Sequence, residues 1–231
     1  MESNLETTTV TVGSRALAIS LEQVARCAGG TRYRMNPSQR LYVGSILERA
    51  YELAAPAFVC CVHEVVGFLE GECVRLDNGL TFPVPAGECD NGTKALAFCV
   101  CTVGARLEES ERRLMSAGDA LGGLFLHAAG VAFLETLSTW VHESLQERAR
   151  ERLLQTGCRC APGCGGLDLS CQRLLFDLVD ASSIGVRLNE SGIMIPAKSV
   201  SFVTRLTTSR VPQESRNKCA SCALPHCAYR L

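Results

Sequence analysis

The chain has 231 residues, 47% of them apolar and 20% charged, with a formal net charge of −1. That is enough apolar material for one large core or two modest ones, and it argues against disorder over most of the length. A near-neutral balance leaves no basic field to draw in nucleic acid or anionic lipid.

At the N-terminus, MESNLETTTVTVG carries acids and threonines where a secretory leader needs basic residues and an apolar run. Residues 1–13 read as an extended lead-in. Leu17, Leu21 and Val24 recur at helical spacing, predicting a helix over 14–27 that Gly29-Gly30 stops. Asn36-Pro37-Ser38 opens a second helix over 39–54, with Leu41, Ile46, Leu47 and Leu53 as its buried side. β-Branched runs follow, interrupted by Asp77-Asn78-Gly79, a hairpin signal. Residues 94–104, KALAFCVCTVG, read as a strand covered on both faces. Its apolar part, Ala95 to Gly104, reads as the longest apolar stretch and is far below the roughly 18 residues of a membrane helix, so a soluble, cytoplasmic protein is expected.

A helix over 105–115 precedes the longest helical stretch, with Leu121, Leu124, Phe125, Ala128, Ala132, Leu137 and Val141 on one face and a charged end from Glu143 to Arg152. A cysteine-bearing loop over 156–171 leads to a helix over 172–181 with Leu174, Leu175 and Leu178 as its stripe. Residues 184–206 are strand-rich. The composition breaks once, at about 207, which gives an α+β domain over 1–206 and a linker with a cysteine-rich tail over 207–231. Helices and strands come in separate blocks, which argues against a parallel doubly wound sheet.

Fourteen cysteines in a reducing compartment leave metal binding, redox chemistry or burial as explanations, because disulfides are rare there. Cys60, Cys61, Cys99 and Cys101 lie in apolar runs, where cysteine behaves as a small hydrophobe. Cys158, Cys160, Cys164 and Cys171 instead surround a Pro-Gly turn, and Cys219, Cys222 and Cys227 stand in the tail. His63, His127 and His142 are scattered singly and read as core or surface residues. No Ser-His-Asp order, phosphate loop or H-E-x-x-H is present.

Two motifs carry a family resemblance. Arg159-Cys160-Ala161-Pro162-Gly163-Cys164 resembles an R-P-A-P-G-Y loop, and Ile184 to Phe202, IGVRLNESGIMIPAKSVSF, resembles I-G-x-x-L-T-E-S-x-x-M-x-P-x-x-S-V-S-G. Both belong, in this order and spacing, to the reactivation domain of cobalamin-dependent methionine synthase. Upstream, Cys101 to Gly130 and Trp140 to Leu145 are similar to stand-alone bacterial versions of that domain, and the resemblance runs over 95–202 and is thin over 1–94. The resemblance implies a twisted antiparallel sheet with flanking helices. It also implies a role as an accessory to a cobalamin-dependent methyltransferase, rather than a complete catalyst: the domain docks over cobalamin on the partner while oxidised cofactor is reduced by one electron and remethylated from S-adenosylmethionine.

Carried over by position, Arg159 is the residue that grips the methionine carboxylate of S-adenosylmethionine, a task that suits a forked guanidinium. Ala161, Pro162 and Gly163 form the ligand-facing turn, and Glu190 and Ser191 match the family's E-S pair on the ligand side of the sheet. For Glu190, a buried, hydrogen-bonded structural role stands beside the functional one. Cys164 replaces the family tyrosine, which removes its ring and hydroxyl, and Phe202 replaces the family glycine.

The tail's Cys219, Cys222 and Cys227 form C-x2-C-x4-C, a spacing that wraps thiolates around one metal or cluster. Cys164, then Cys160 and Cys158, or else His226, are the candidates to complete the site. An iron–sulfur cluster would carry the single electron, and zinc would give a structural clip; a tail of three unbound thiols is the third reading. Two alternatives to the accessory role follow: an iron–sulfur corrinoid reductase acting alone, fed by an electron donor, and a zinc-clipped corrinoid or S-adenosylmethionine binding protein.

Overall fold

The computed structural model describes residues 7–69, 72–85, 90, 92–164 and 166–211. Its frame is an antiparallel sheet whose central strands are β2 (Ala57–Leu69), β5 (Thr93–Thr102) and β9 (Ser199–Thr207). Outward from β2 lie β3 (Cys73–Leu76) and β4 (Thr81–Pro83), and outward from β9 lies β6 (Gln155–Thr156). β1 (Thr8–Thr11) also pairs with β2, opposite Ala57 to Cys60, so the expected lead-in is a sheet strand. A register shift between Val65 and Gly67 marks where β2 leaves β5 and turns to pair with β3. The predicted turn at 77–79 does join β3 to β4, with Gly79 at φ +83°.

The sheet is covered on both faces. On one face, α1 (Leu21–Gly29), α2 (Pro37–Leu53), α3 (Arg106–Ser116) and α4 (Ala120–Glu151) pack over Phe58, Cys60, Ala97, Cys99, Cys101 and Phe202. On the other, Val59, Cys61, Phe98, Val100 and Val203 meet Leu167 and the helix α5 (Cys171–Leu178). Alternation along a strand assigns neighbouring residues to opposite layers. It accounts for the unbroken burial of β5, residue by residue, from Ala95 to Thr102. Five phenylalanines, Phe82, Phe98, Phe125, Phe133 and Phe202, are fully buried, each worth about 1.5–3 kcal/mol of apolar transfer.

Local chemistry sets the helix starts. Ser20 and Gln23 form a reciprocal capping box at α1, and Asn36 and Gln39 form another at α2, with Pro37 in the first turn. This corrects the helix expected over 14–27. The Ser20 cap begins the helix at Leu21; a short 3-10 turn occupies Ser14–Ala16, and Leu17 is buried from an extended segment.

Four expected core positions face solvent: Leu41 (80% exposed), Leu121, Leu124 and Leu174. At about 100° per residue, Leu41 lies on the far side of α2 from Val43. Leu121 and Leu124 are each one step off the buried Gly122 and Phe125, and Leu174 is one step off the buried Leu175.

α4 is long and apolar enough to cross a membrane by length and composition, which the reading of Ala95 to Gly104 as the longest apolar run did not anticipate. Here it is the central core helix: Phe125, Leu126, Ala129, Phe133, Leu137 and Val141 are buried against the sheet and its neighbours.

Beyond β9 the chain stays attached to the domain. Thr208 N–H donates to the Gly92 carbonyl at 3.0 Å, and Val211 N–H to Gln155 Oε1 at 3.1 Å. Cys219, Cys222, Cys227 and His226 lie outside the described residues.

Candidate functional site

Residues 155–160 run along the open edge of β9 and bring the first motif to the second. Gln155 and Thr156 pair with Thr207 and Leu206, Gly157 N–H donates to the Arg205 carbonyl, and Cys160 exchanges two 2.8 Å backbone hydrogen bonds with Val203. The Gly157 carbonyl accepts from Thr204 Oγ1 at 3.0 Å and lies 3.1 Å from His142 Nε2, which pins this edge to α4. The loop then closes on itself. Cys164 N–H donates to the Ala161 carbonyl and Gly163 N–H to the Leu167 carbonyl, with Gly163 at φ +81°, a left-handed conformation that suits glycine.

The second motif is held by α5. Gln172 Nε2 donates to the Gly192 carbonyl at 2.7 Å and Arg173 Nη2 to the Glu190 carbonyl, while Ser201 Oγ on β9 donates to Gln172 Oε1 at 3.4 Å. Glu190 and Ser191 sit at the tip of a hairpin between β7 (Arg187–Leu188) and β8 (Met194–Ile195). Asn189 stiffens that tip by accepting from Ile193 N–H at 2.9 Å. Both Glu190 and Ser191 are exposed, so the reading of Glu190 as a buried structural residue is corrected: it stands on a solvent-facing turn.

The backbones of the two motifs converge, but their polar side chains do not. The Arg159 guanidinium reaches toward α4, donating through Nη1 to Ser138 Oγ at 2.9 Å and lying 5.9 Å from the centre of the Phe202 ring. Burial holds its pKa below the ordinary value, opposed by the nearby Cys101, Glu135 and Glu143. Cys160, one residue on, points into the opposite layer among Val203, Leu167 and Leu175. The Glu190-Ser191 tip hangs from α5 in that same layer. Phe202, which stands where the family has glycine, is 2% exposed and occupies the space beside Arg159.

The loop, α5 and the hairpin expose large apolar side chains among charged ones such as Asp168, Arg173 and Glu190. Leu169, Leu174, Ile193 and Ile195 are all exposed, and a side chain at Gly163 would come within 3.5 Å of Leu169. Three clefts lie elsewhere: one of about 340 Å³ between β1, β2 and the end of α4, one beside α1, and one at the end of α3. None of the three is lined by Arg159, Ala161, Pro162, Gly163, Cys164, Glu190 or Ser191.

Cys158 and Cys160 have their sulfurs 3.5 Å apart, and Cys164 is exposed. Among the described residues, no three histidine, cysteine or acidic side chains group as a metal site. Sequence reading missed another polar cluster. Lys198, inside the second motif and 6% exposed, places Nζ 3.1 Å from Glu111 Oε2 and 2.9 Å from His127 Nδ1. Its signal was a lysine in an otherwise apolar strand approach, facing a helix with Glu111.

A family model described as "Vitamin B12 dependent methionine synthase, activation domain" matches residues 88–209. Among solved structures, the chain is similar to one described as "Crystal Structure of the MetH Reactivation Domain bound to AdoHcy", with a TM-score of 0.69 at 15% identity, covering 91% of this chain and 81% of that one. No curated protein sequence matches. The structural likeness takes in most of the region before residue 95, where the motifs give little. The family match spans β5, α3, α4, both motifs and β9, and on that ground the chain belongs to the vitamin B12 dependent methionine synthase activation domain family.

Proposed function

We propose that the chain docks on a cobalamin-carrying methyltransferase and supports its reductive reactivation, as an activation subunit rather than a complete catalyst. The observation that carries this is the exposed apolar surface of Leu169, Leu174, Ile193 and Ile195, gathered by α5 around the two motifs that define the family. An exposed apolar patch rimmed by polar groups is the usual mark of an interaction site. Methionine synthase is the first candidate partner, and a cytoplasmic setting follows from that partner.

Cobalamin on the partner supplies the redox and methyl-transfer chemistry. The contribution of this chain is to cover the corrin face with the Ala161-Pro162-Gly163 turn and the Glu190-Ser191 tip, excluding water. S-Adenosylmethionine is the small ligand. The structure described with AdoHcy is of the same fold, and Arg159 keeps guanidinium donors beyond the one given to Ser138 for a carboxylate arriving at the β9 edge.

The finer reading of the tail is that Cys219, Cys222 and Cys227 hold an iron–sulfur cluster or zinc with Cys164 as the fourth ligand. Cys164 is exposed on the loop, whereas Cys160 is turned into the core. A cluster would pass the electron from a separate donor.

Docking is tested by mixing the full chain with a cobalamin-loaded methionine synthase and following co-elution on size exclusion. A complex with wild type that weakens at least ten-fold with Ile193→Asp is expected. Separate elution at tens of micromolar removes the proposal. S-Adenosylmethionine binding is tested by calorimetry on wild type and Arg159→Ala: heat with wild type alone supports the ligand assignment, and no heat with either removes it.

A further inference from the structure

Cys60 and Cys99 face each other across the two central strands, in direct register, with their sulfurs 3.0 Å apart. That is about one ångström longer than the roughly 2.05 Å of a disulfide bond. Both are reduced in this structure, and both belong to the layer under α4.

Their surroundings are asymmetric. Cys99 is completely buried, whereas Cys60 keeps 5% exposure. Cys60 is also among the residues lining the cleft of about 340 Å³, with Thr8, Val62, Leu145, Ala149, Leu154 and Leu206 as its other uncharged walls and Arg148, Arg152 and Glu151 as its charged ones. Burial pushes the Cys99 thiol well above its ordinary pKa, and the nearby Cys60 adds to that. Cys99 is therefore not the first nucleophile; it stands behind Cys60, the one of the two that lines the cleft.

We propose that Cys60 and Cys99 form a two-thiol oxidation site, entered through this cleft, whose substrate is a small hydroperoxide. Cys60 Sγ attacks the distal peroxide oxygen and the O–O bond breaks, giving Cys60 sulfenic acid and an alcohol or water. Cys99 Sγ then attacks Cys60 Sγ; the S–S bond forms, the S–O bond breaks, and the hydroxyl leaves as water with the Cys99 proton. Two thiols supply the two electrons that reduce the peroxide. A small dithiol reductant that enters the same cleft returns the pair by attack on Cys60 Sγ and exchange, leaving as its own disulfide. Bulky disulfides are excluded as oxidants because so little of Cys60 is uncovered. The product ties β2 to β5 at the centre of the sheet.

The full chain, reduced and desalted under anaerobic conditions, is treated with equimolar hydrogen peroxide, quenched with iodoacetamide and mapped by peptide fragmentation. A Cys60–Cys99 linked peptide is expected. Cys99→Ser should leave Cys60 as a sulfenic acid trapped by dimedone, and Leu154→Trp, which narrows the cleft, should slow oxidation of Cys60 at least ten-fold while folding is verified by circular dichroism. The proposal is overturned if wild-type Cys60 remains fully alkylated after peroxide. It is overturned equally if Cys60 links to its neighbour Cys61, or if Cys158 and Cys160 consume the oxidant while Cys60 stays reduced.

Discussion

Arg159 Nη1 donates to Ser138 Oγ at 2.9 Å, tying the family's arginine to the middle of the core helix α4. Removing the hydroxyl leaves a half-buried guanidinium short of an acceptor. Hydrogen bonds to charged groups contribute about 1.5–3 kcal/mol. Ser138→Ala is expected to lower the unfolding free energy by about 1–2 kcal/mol in urea titration. Arg159→Met, which keeps an aliphatic stem beside Phe202, should cost less than Arg159→Ala.

Lys198 is packed across α4 at Gly130, where an added Cβ would come within 3.0 Å of Lys198 Cε. The lysine cannot swing away without leaving Glu111 and His127. Overpacking of this kind costs about 1–3 kcal/mol. Gly130→Val is expected to fall in that range by urea titration, and Lys198→Met should relieve the penalty in the double variant.

The main helices and strands were legible because β-branched runs, a Gly-bearing turn and long amphipathic stretches each point to one element, whereas the antiparallel sheet with flanking helices came from the family resemblance. The break between Leu17 and Leu21 was missed because periodicity alone does not see a capping box; Ser20 and Gln23 were the available signal. The loop and hairpin were placed by motif, yet the side to which Arg159 points was hidden. Strand alternation sends it toward Phe202 and sends Cys160 the other way, and that depends on the Cys160–Val203 pairing across more than forty residues. The Cys60–Cys99 pair was likewise invisible, since its register is set by tertiary pairing of β2 with β5.

Asp77 ties the β3–β4 turn to β2. Burial pushes its carboxyl pKa up, but His63 Nδ1 at 2.8 Å and the Glu64 N–H at 3.2 Å outweigh that and hold it below the ordinary value. A depressed folded pKa stabilises the fold at pH above the unfolded value of about 3.9 and loses that contribution as pH falls through the folded value. The stability difference between wild type and Asp77→Asn is therefore expected to be present at pH 6 and to shrink below about pH 4, as followed by urea midpoints across pH. A difference independent of pH would assign the effect to the turn's hydrogen bonds alone.

The tail reading predicts metal in protein purified anaerobically. Elemental analysis is expected to find iron with absorbance near 400 nm, or zinc without colour, and Cys164→Ala should lower the content by half or more. Metal-free wild type with full thiol titration would discard the site and leave the docking surface untouched.

The most direct measurement follows the cobalt spectrum of a cobalamin-loaded methionine synthase lacking its own activation domain, started in the cob(II) form with a one-electron reductant and S-adenosylmethionine. Adding the chain is expected to accelerate remethylation at least ten-fold, with Ile193→Asp abolishing most of the gain. An unchanged rate, from a chain that is folded and in excess, would contradict a role in reactivation.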